Sequence, residues 1–174
     1  MVSEDVMTRV TSYIQHQATK SHDGIAALVS DSQARFLDVV GGLSDEQASR
    51  PEAEGEWCVR QLVRHVVDAE TSVAGLVAEL ARGQNVDAGR RGAGAMIEDD
   101  GGPYAGLVAR LREANERMIV AIRELPAEPD LELKAPHPFC GPLNCREWAA
   151  FQRVHDADHI QHAQKILAAT TSSG

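Results

Sequence analysis

The chain is poor in the features that hold together small secreted proteins or anchor membrane proteins. Its 174 residues include only three cysteines, Cys58, Cys140 and Cys145, an odd number too small for a disulfide framework. Its apolar runs are all shorter than the roughly 18 residues of a membrane span. Residues 1–5 also lack the basic start of a secretory signal. We therefore expect a cytoplasmic protein that does not associate with a membrane.

Positive charge is scarce as well. The 17 Lys and Arg residues are outnumbered by 26 Asp and Glu residues, which gives a formal net charge of −9 at pH 7. A protein this acidic is repelled by the phosphates of nucleic acid and by anionic lipid, so neither is expected as its main partner. We expect a small-molecule substrate instead.

Strand-like alternation of apolar and polar residues is rare, whereas apolar residues recur at steps of three and four along most of the chain. This period predicts helices over residues 21–42, 57–82 and 104–125. It also predicts a fourth helix, which Asn144 caps and which extends to Leu167. Four amphipathic helices that share one core predict an all-α fold, a four-helix bundle.

The remaining segments are assigned from their composition. Residues 1–20 are predicted to be an N-terminal extension with a short extra helix, residues 21–170 a single bundle domain, and residues 171–174 a flexible tail. The Gly-rich segment 83–103 and the Pro-rich segment 126–143 are predicted to be long connections, the second irregular or extended. Connections of this length permit parallel as well as antiparallel neighbouring helices.

Two histidines of the fourth helix lie on its apolar face. His155 and His159 are four residues apart, so both imidazoles project from one side at a spacing that a single metal ion can bridge. His65 occupies a core-facing step of the second helix, between Leu62 and Ala69. Three imidazoles that converge from two helices, with coordination positions left open, are typical of a catalytic metal site. The alternative is a network of hydrogen-bonded core histidines.

Three other polar residues are candidates for the edge of this site. His162 lies on the same face and is predicted to act near the metal, with ligation or an ordinary surface position as alternatives. Asp68 and Asp158 are placed to orient an imidazole or to act as an acid or base, or are simply solvated carboxylates. The histidines of the weakly patterned N-terminal region and of the proline-rich connection are predicted to be surface residues: His16, His22 and His137.

Two regions of the chain resemble the DinB-like (DinB/YfiT) superfamily. The segment 56–65, EWCVRQLVRH, is similar to the second-helix motif of that superfamily, in which Trp-x-x-Arg leads to a metal-binding histidine. The segments 137–148, HPFCGPLNCREW, and 155–159, HDADH, are similar to its fourth-helix entry and its His-x-x-x-His motif. The similarity covers residues 20–169.

The resemblance implies a four-helix bundle of up-down-down-up topology that is often a homodimer. It also implies that His65, His155 and His159 bind a divalent metal ion, which is expected to be Zn²⁺ or else Ni²⁺ or Fe²⁺. Many members carry Gln about where His162 stands, so the role of this position is open. The superfamily includes transferases that use a low-molecular-weight thiol as co-substrate, and metal-dependent hydrolases. We expect one of these activities, with thiol transfer slightly favoured by its prevalence; the alternative is a non-catalytic metal- or ligand-binding module of a stress response.

Overall fold

The computed structural model describes residues 4–86 and 101–171. Its regular elements, in chain order, are helices α1 (Glu4–Ala18), α2 (His22–Val40), α3 (Asp45–Ser49), α4 (Val59–Ala81) and α5 (Tyr104–Arg123), strands β1 (Ala135–His137) and β2 (Gly141–Leu143), and helix α6 (Cys145–Thr171). The four predicted helices are α2, α4, α5 and α6. Most of the predicted connection 83–103 and of the predicted tail 171–174 lies outside the described residues. None of the described helices is long and apolar enough to cross a membrane.

Helices α2, α4, α5 and α6 pack around a core with an apolar cluster towards each end. The cluster at the start of α2 and α6 and the end of α4 and α5 includes Ile25, Leu76, Leu80, Ile122 and Trp148. The opposite cluster includes Phe36, Leu62, Leu111 and Ile166. Helices α2 and α6 therefore run in one direction and α4 and α5 in the other. This arrangement confirms the all-α four-helix bundle and its up-down-down-up topology.

The N-terminal segment forms a full helix, although its apolar pattern is weak. Helix α1 packs on α6, where Ile14 and Ala18 contact Ala150. The guanidinium Nε of Arg146 donates to the carbonyl of Ala18 at 2.8 Å and so ties the end of α1 to the start of α6. The apolar strip on α6 gives these residues a surface to bury, which is what most helices of this length need for stability.

The start of α6 is fixed by the predicted cap. The side-chain oxygen of Asn144 accepts from the backbone N–H groups of Arg146 and Glu147 at 3.0 Å each, and the Glu147 carboxylate accepts from the N–H of Asn144 at 2.9 Å. This reciprocal capping box satisfies backbone donors that would otherwise have no partner. Because α6 then starts at a fixed residue, the side of the helix on which His155 and His159 lie is fixed as well.

The proline-rich connection contains a small hairpin that the sequence pattern did not indicate. Strands β1 and β2 pair antiparallel, with Ala135 opposite Leu143. Gly141, at the start of β2, has a φ of 73°, a backbone conformation that residues other than glycine rarely adopt. The indole N–H of Trp148 donates to the carbonyl of Ala135 at 3.3 Å, which holds the hairpin against the first turns of α6.

Candidate metal centre

The antiparallel packing of α4 against α6 brings the three predicted metal ligands together. His65 lies in the second turn of α4, and His155 and His159 lie in the middle of α6. One ligand nitrogen of each lies within 4.8 Å of the others, and all three side chains are half-buried. Within residues 4–86 and 101–171, no other group of three His, Cys, Asp or Glu residues brings its ligand atoms this close.

The spacing of the nitrogens suits a shared ion. Nε2 of His155 lies 3.1 Å from Nε2 of His159. Two nitrogens that are ligands of one tetrahedral zinc ion lie about 3.3 Å apart, given the usual Zn–N bond length. The His65 ring completes the triangle, with its centroid 5.5 Å from that of His155 and 4.9 Å from that of His159.

The electrostatics keep these imidazoles neutral, as metal ligands must be. Burial, together with the neighbouring His65 and His162, lowers the pKa of His159 to about 3. Burial and the neighbouring histidines also hold the pKa of His155 well below its ordinary value. The pKa of His65 is lowered by burial, partly against the effect of Asp68, which raises it. Near pH 7 each ring is therefore neutral, with one nitrogen protonated and the lone pair of the other free to bind a metal.

The hydrogen bonding of this cluster disagrees with the alternative of a closed core network. Nδ1 of His159 is buried and has no hydrogen-bond partner among the described residues. A network that existed to stabilise the core would satisfy both nitrogens of each ring, because an unpaired buried polar atom costs about 1–3 kcal/mol. The two Nε2 atoms lie within hydrogen-bond distance of each other, so the rings are partly paired, and the same convergence would let them hold a divalent ion.

The predicted edge residue His162 does lie beside the three histidines. Its ring centroid is 6.5 Å from that of His159, and its ring stacks on Trp57 at 6.2 Å with an interplanar angle of 21°. Trp57 also packs against His65 at 5.4 Å. His162 and Trp57 therefore form one rim of the site.

The two predicted carboxylates are at the surface of the protein. The side chain of Asp68 is 51% exposed and forms an ion pair with Arg64 at 3.6 Å. It still reaches the site electrostatically, since it raises the pKa of His65. Asp158 is exposed on α6. Neither belongs to the group of converging ligand atoms.

The remaining three histidines were all predicted to be surface residues, but they differ in how exposed they are. His16 is exposed, as predicted. His22 is half-buried, with its Nε2 3.0 Å from a guanidinium nitrogen of Arg146. The prediction that His137 is a surface residue is wrong: it is 8% exposed, and its Nδ1 accepts from the backbone N–H of Cys140 at 3.0 Å. The hairpin folds this ring onto Phe151, with 4.3 Å between centroids, a contact that no local pattern could indicate.

Sequence reasoning also missed a second polar cluster, which we call the carboxyl–amide layer. It crosses the core next to the histidines and contains one or two residues from each bundle helix: Ser32, Gln33, Glu70, Asn115, Gln152 and Asp156. All six are buried, and Glu70, Gln152 and Ser32 have no exposed surface. The available signal was the presence of polar residues at core-facing steps of four different helices.

The two carboxyl groups of this layer are surrounded by donors. The amide nitrogens of Gln33 and Gln152 donate to Oε1 of Glu70 at 2.8 Å and 3.2 Å. With its amide turned so that the nitrogen faces acceptors, Asn115 donates to the other Glu70 oxygen. Asp156 accepts from Gln152 at 2.7 Å and from the hydroxyl of Ser32 at 2.5 Å.

Burial raises the pKa values of both carboxyl groups of the layer. It raises the pKa of Glu70 well above its ordinary value, and the neighbouring carboxyl of Asp156 raises it further. Burial likewise raises the pKa of Asp156 to about 6, although the hydrogen bonds from Ser32 and Gln152 act in the opposite direction.

Comparisons with known proteins agree with this fold. A protein of Oceanobacillus iheyensis named "Putative metal-dependent hydrolase" is 27% identical over 141 residues, which cover 80% of this chain and 81% of that protein. The four-helix bundle protein TT2238 superposes with a TM-score of 0.62 at 22% identity, over 83% of this chain and 98% of that one.

A second solved structure is that of YfiT from Bacillus subtilis, described as a probable metal-dependent hydrolase with an unusual four-helix bundle topology. It superposes with a TM-score of 0.60 at 20% identity, over 82% of this chain and 83% of that one. At these identities the two structures support the fold alone. The sequence itself matches the DinB superfamily over residues 28–163, which include all three converging histidines. The chain therefore belongs to the DinB superfamily.

Proposed function

We propose that this protein is a metal-dependent enzyme that hydrolyses a small molecule, with His65, His155 and His159 as the metal ligands. The observation that carries the proposal is the convergence of three imidazole nitrogens, from α4 and α6, within 4.8 Å of one another. Their lowered pKa values support it, and so does the relative in Oceanobacillus iheyensis that is named as a metal-dependent hydrolase.

The donor set favours particular metals. Three neutral nitrogens and no thiolate suit Zn²⁺, and they also suit Ni²⁺ or Fe²⁺. Three protein ligands are one fewer than a structural zinc site has, so the arrangement leaves room for a small molecule. When bound, the ion supplies a Lewis acid that lowers the pKa of a water or a thiol enough to make it a nucleophile near neutral pH.

The residues of the rim would handle substrate and protons. His162 lies next to His159 and stacks on Trp57, so its ring is held in place at the edge of the site. An imidazole in this position can accept a proton from a nucleophile or return one to a leaving group. Asp68 and Asp158 are exposed, so in this proposal they act by attracting the metal cation and supporting the nearby histidines.

Thiol transfer is a second candidate, and the placement of the carboxylates favours it. Asp68 and Asp158 are exposed, whereas Glu70 and Asp156 are bonded within the carboxyl–amide layer. None of these four carboxylates is thus placed as a buried general base for water beside the three histidines. A low-molecular-weight thiol ionises more readily than water and has less need of such a base.

Metal binding is tested first. Protein purified without an affinity tag is expected to contain about one equivalent of divalent metal by elemental analysis, and added Zn²⁺ is expected to raise the melting temperature of metal-free protein. If no metal is found and none binds on addition, the proposal fails. An X-ray absorption spectrum of the loaded protein then counts the ligands. Four protein ligands and no open position would favour a non-catalytic metal-binding module.

The reaction is tested by two substrate panels, assayed with wild-type protein and with His65→Gln. One panel contains esters and amides, and the other pairs low-molecular-weight thiols with electrophiles. Hydrolysis is supported by metal-dependent turnover of the first panel that His65→Gln abolishes. Turnover of the second panel alone would replace hydrolysis by thiol transfer.

A further inference from the structure

The carboxyl–amide layer meets the metal centre at one residue, Gln152. The side-chain nitrogen of Gln152 lies 2.7 Å from Asp156 Oδ1, 3.2 Å from Glu70 Oε1 and 3.5 Å from Nδ1 of His155. Gln152 has no exposed surface, so these contacts are not in competition with water. One amide is thus shared between two buried carboxyl groups and a metal-binding ring.

The contact to His155 is made on the side of the ring away from the metal site. Nε2 of His155 faces His159, so Nδ1 is the nitrogen that does not take part in ligation. A group that holds this second nitrogen sets the rotation of the ring and thereby the direction in which Nε2 points. Residues that contact the second nitrogen of metal-binding histidines commonly tune metal affinity in this way.

Gln152 is itself held rigidly by the layer. Its two carboxyl partners come from different helices, Asp156 from α6 and Glu70 from α4. Glu70 is held in turn by Gln33 of α2 at 2.8 Å. The buried Oε1 of Gln152 has no hydrogen-bond partner among the described residues, so the amide offers an unused acceptor as well as a donor. A metal ion on Nε2 of His155 leaves the proton of the neutral ring on Nδ1, and Oε1 is the atom of the Gln152 amide that can accept it once the metal is bound.

We propose that Gln152 is a positioning residue of the metal centre, which orients His155 and is itself oriented by Glu70 and Asp156. This inference rests on the proposed function, because it requires the three histidines to bind a metal. It gives the carboxyl–amide layer a role beyond stabilising the bundle, because the layer would hold the His155 ring at Nδ1, the nitrogen that points away from the metal site.

The chain offers a matched control for this role. Gln33 and Gln152 are both buried glutamines, and both donate to Oε1 of Glu70. Of the two, Gln152 contacts His155, whereas the second contact of Gln33 is to the backbone carbonyl of Asn115 at 3.3 Å. Replacing either by Met removes an amide from the same carboxyl group at nearly constant volume. Gln152→Met alone also removes the contact with the metal-binding ring.

The experiment measures Zn²⁺ affinity by competition with a chromophoric chelator, for folded full-length wild-type, Gln152→Met and Gln33→Met proteins. We expect Gln152→Met to bind Zn²⁺ about 10–100-fold more weakly than wild type, the usual cost of losing such a partner. Gln33→Met, which reaches His155 only through Glu70 and Gln152, is expected to lose clearly less affinity, even though both variants lose stability in urea. We also expect the visible spectrum of bound Co²⁺ to change more in Gln152→Met than in Gln33→Met.

Equal Zn²⁺ affinity of Gln152→Met and wild type would overturn the inference, and so would an equal loss in both variants. In either case Zn²⁺ binding by the wild type would leave the proposed function intact, whereas a wild type that binds no metal removes both. If Gln152→Met does not fold, the inference is tested instead by NMR of the zinc-loaded wild type, which measures how fast the proton on Nδ1 of His155 exchanges with solvent. A slowly exchanging proton on Nδ1 of His155 supports the inference, and a rapidly exchanging one overturns it.

Discussion

Two polar clusters lie side by side in the core of the bundle, and they differ in how their polar atoms are paired. In the carboxyl–amide layer, both oxygens of Glu70 and both oxygens of Asp156 accept from side chains of the layer. In the histidine cluster, two Nε2 atoms face each other and Nδ1 of His159 has no partner among the described residues. Buried polar groups of natural proteins are nearly always paired. Each cluster leaves one buried atom unpaired, Oε1 of Gln152 in the layer and Nδ1 of His159 among the histidines, but only the three histidines bring their ligand nitrogens together in the described residues, which supports the proposed metal site.

The clusters also differ in their response to pH. The acids of the layer have raised pKa values, so the folded protein holds their protons more tightly than the unfolded chain does. Their contribution to stability is present at low pH and is lost as the pH rises through the folded pKa, which is about 6 for Asp156. His159 has a lowered pKa, so in metal-free protein its contribution is lost as the pH falls from 6.5 towards about 3.

The largest effect is expected from His159→Gln. Because it removes one of three ligands, we expect Zn²⁺ affinity to fall by more than the roughly 100-fold upper range for loss of a mere orienting partner. His16→Gln, a change at an exposed histidine of α1, is the control and should leave binding intact. Zn²⁺ titration of both variants checks this. Unchanged affinity in His159→Gln would mean that the histidines are a core network after all.

A smaller effect, on stability, is expected from Glu70→Gln. The new amide group places a donor against the amide donors of Gln33, Gln152 or Asn115, which should cost about 1–3 kcal/mol in the free energy of unfolding. The loss should shrink as the pH rises, because only the wild type must then bury an ionised carboxylate. Urea denaturation at acidic and alkaline pH measures it, with the exposed Glu116→Gln as control. A loss that grows with pH would contradict the raised pKa of Glu70.

His162→Gln tests whether His162 is a metal ligand or a residue of the rim. Since His162 lies on the rim with its ring centroid 6.5 Å from that of His159, we expect Zn²⁺ affinity to fall by less than about tenfold, below the range typical of a ligand or its partner. In the proposed reaction, turnover should fall more than affinity, and its pH profile should lose one limb. A loss of metal comparable with that of His159→Gln would make His162 a fourth ligand.

The smallest effect is expected from Asp68→Asn. Asp68 raises the pKa of His65, so its replacement should move the NMR titration midpoint of His65 to lower pH. The side chain is 51% exposed, so solvent and salt should screen the interaction, and the shift should shrink at high ionic strength. A shift that is insensitive to salt would show that Asp68 contacts the ring directly.

Much of this molecule follows from local patterns. The three- and four-residue apolar period predicted α2, α4, α5 and α6, because each helix must bury one face whatever it packs against. The box formed by Asn144 and Glu147 predicted the start of α6, since a helix start needs donors satisfied locally. The spacing of His155 and His159 placed both on one side of α6 for the same reason.

Other features depend on contacts between distant parts of the chain. His137 is buried because the hairpin folds it onto Phe151, and its own segment of prolines and glycines has no period that could show this. Helix α1 forms against the side of α6, although its own apolar pattern is weak.

The sequence by itself therefore determined the helices, the core-facing position of three histidines and the superfamily motifs that contain them. Only the tertiary structure decided that these rings meet within ligand distance, since the antiparallel packing of α4 on α6 is a long-range arrangement. It alone also showed the layer behind them. The neighbouring sequence does not show what a polar residue on a core-facing side of a helix will bond to. Its partners can be residues of other helices, as in the carboxyl–amide layer, or a bound ligand.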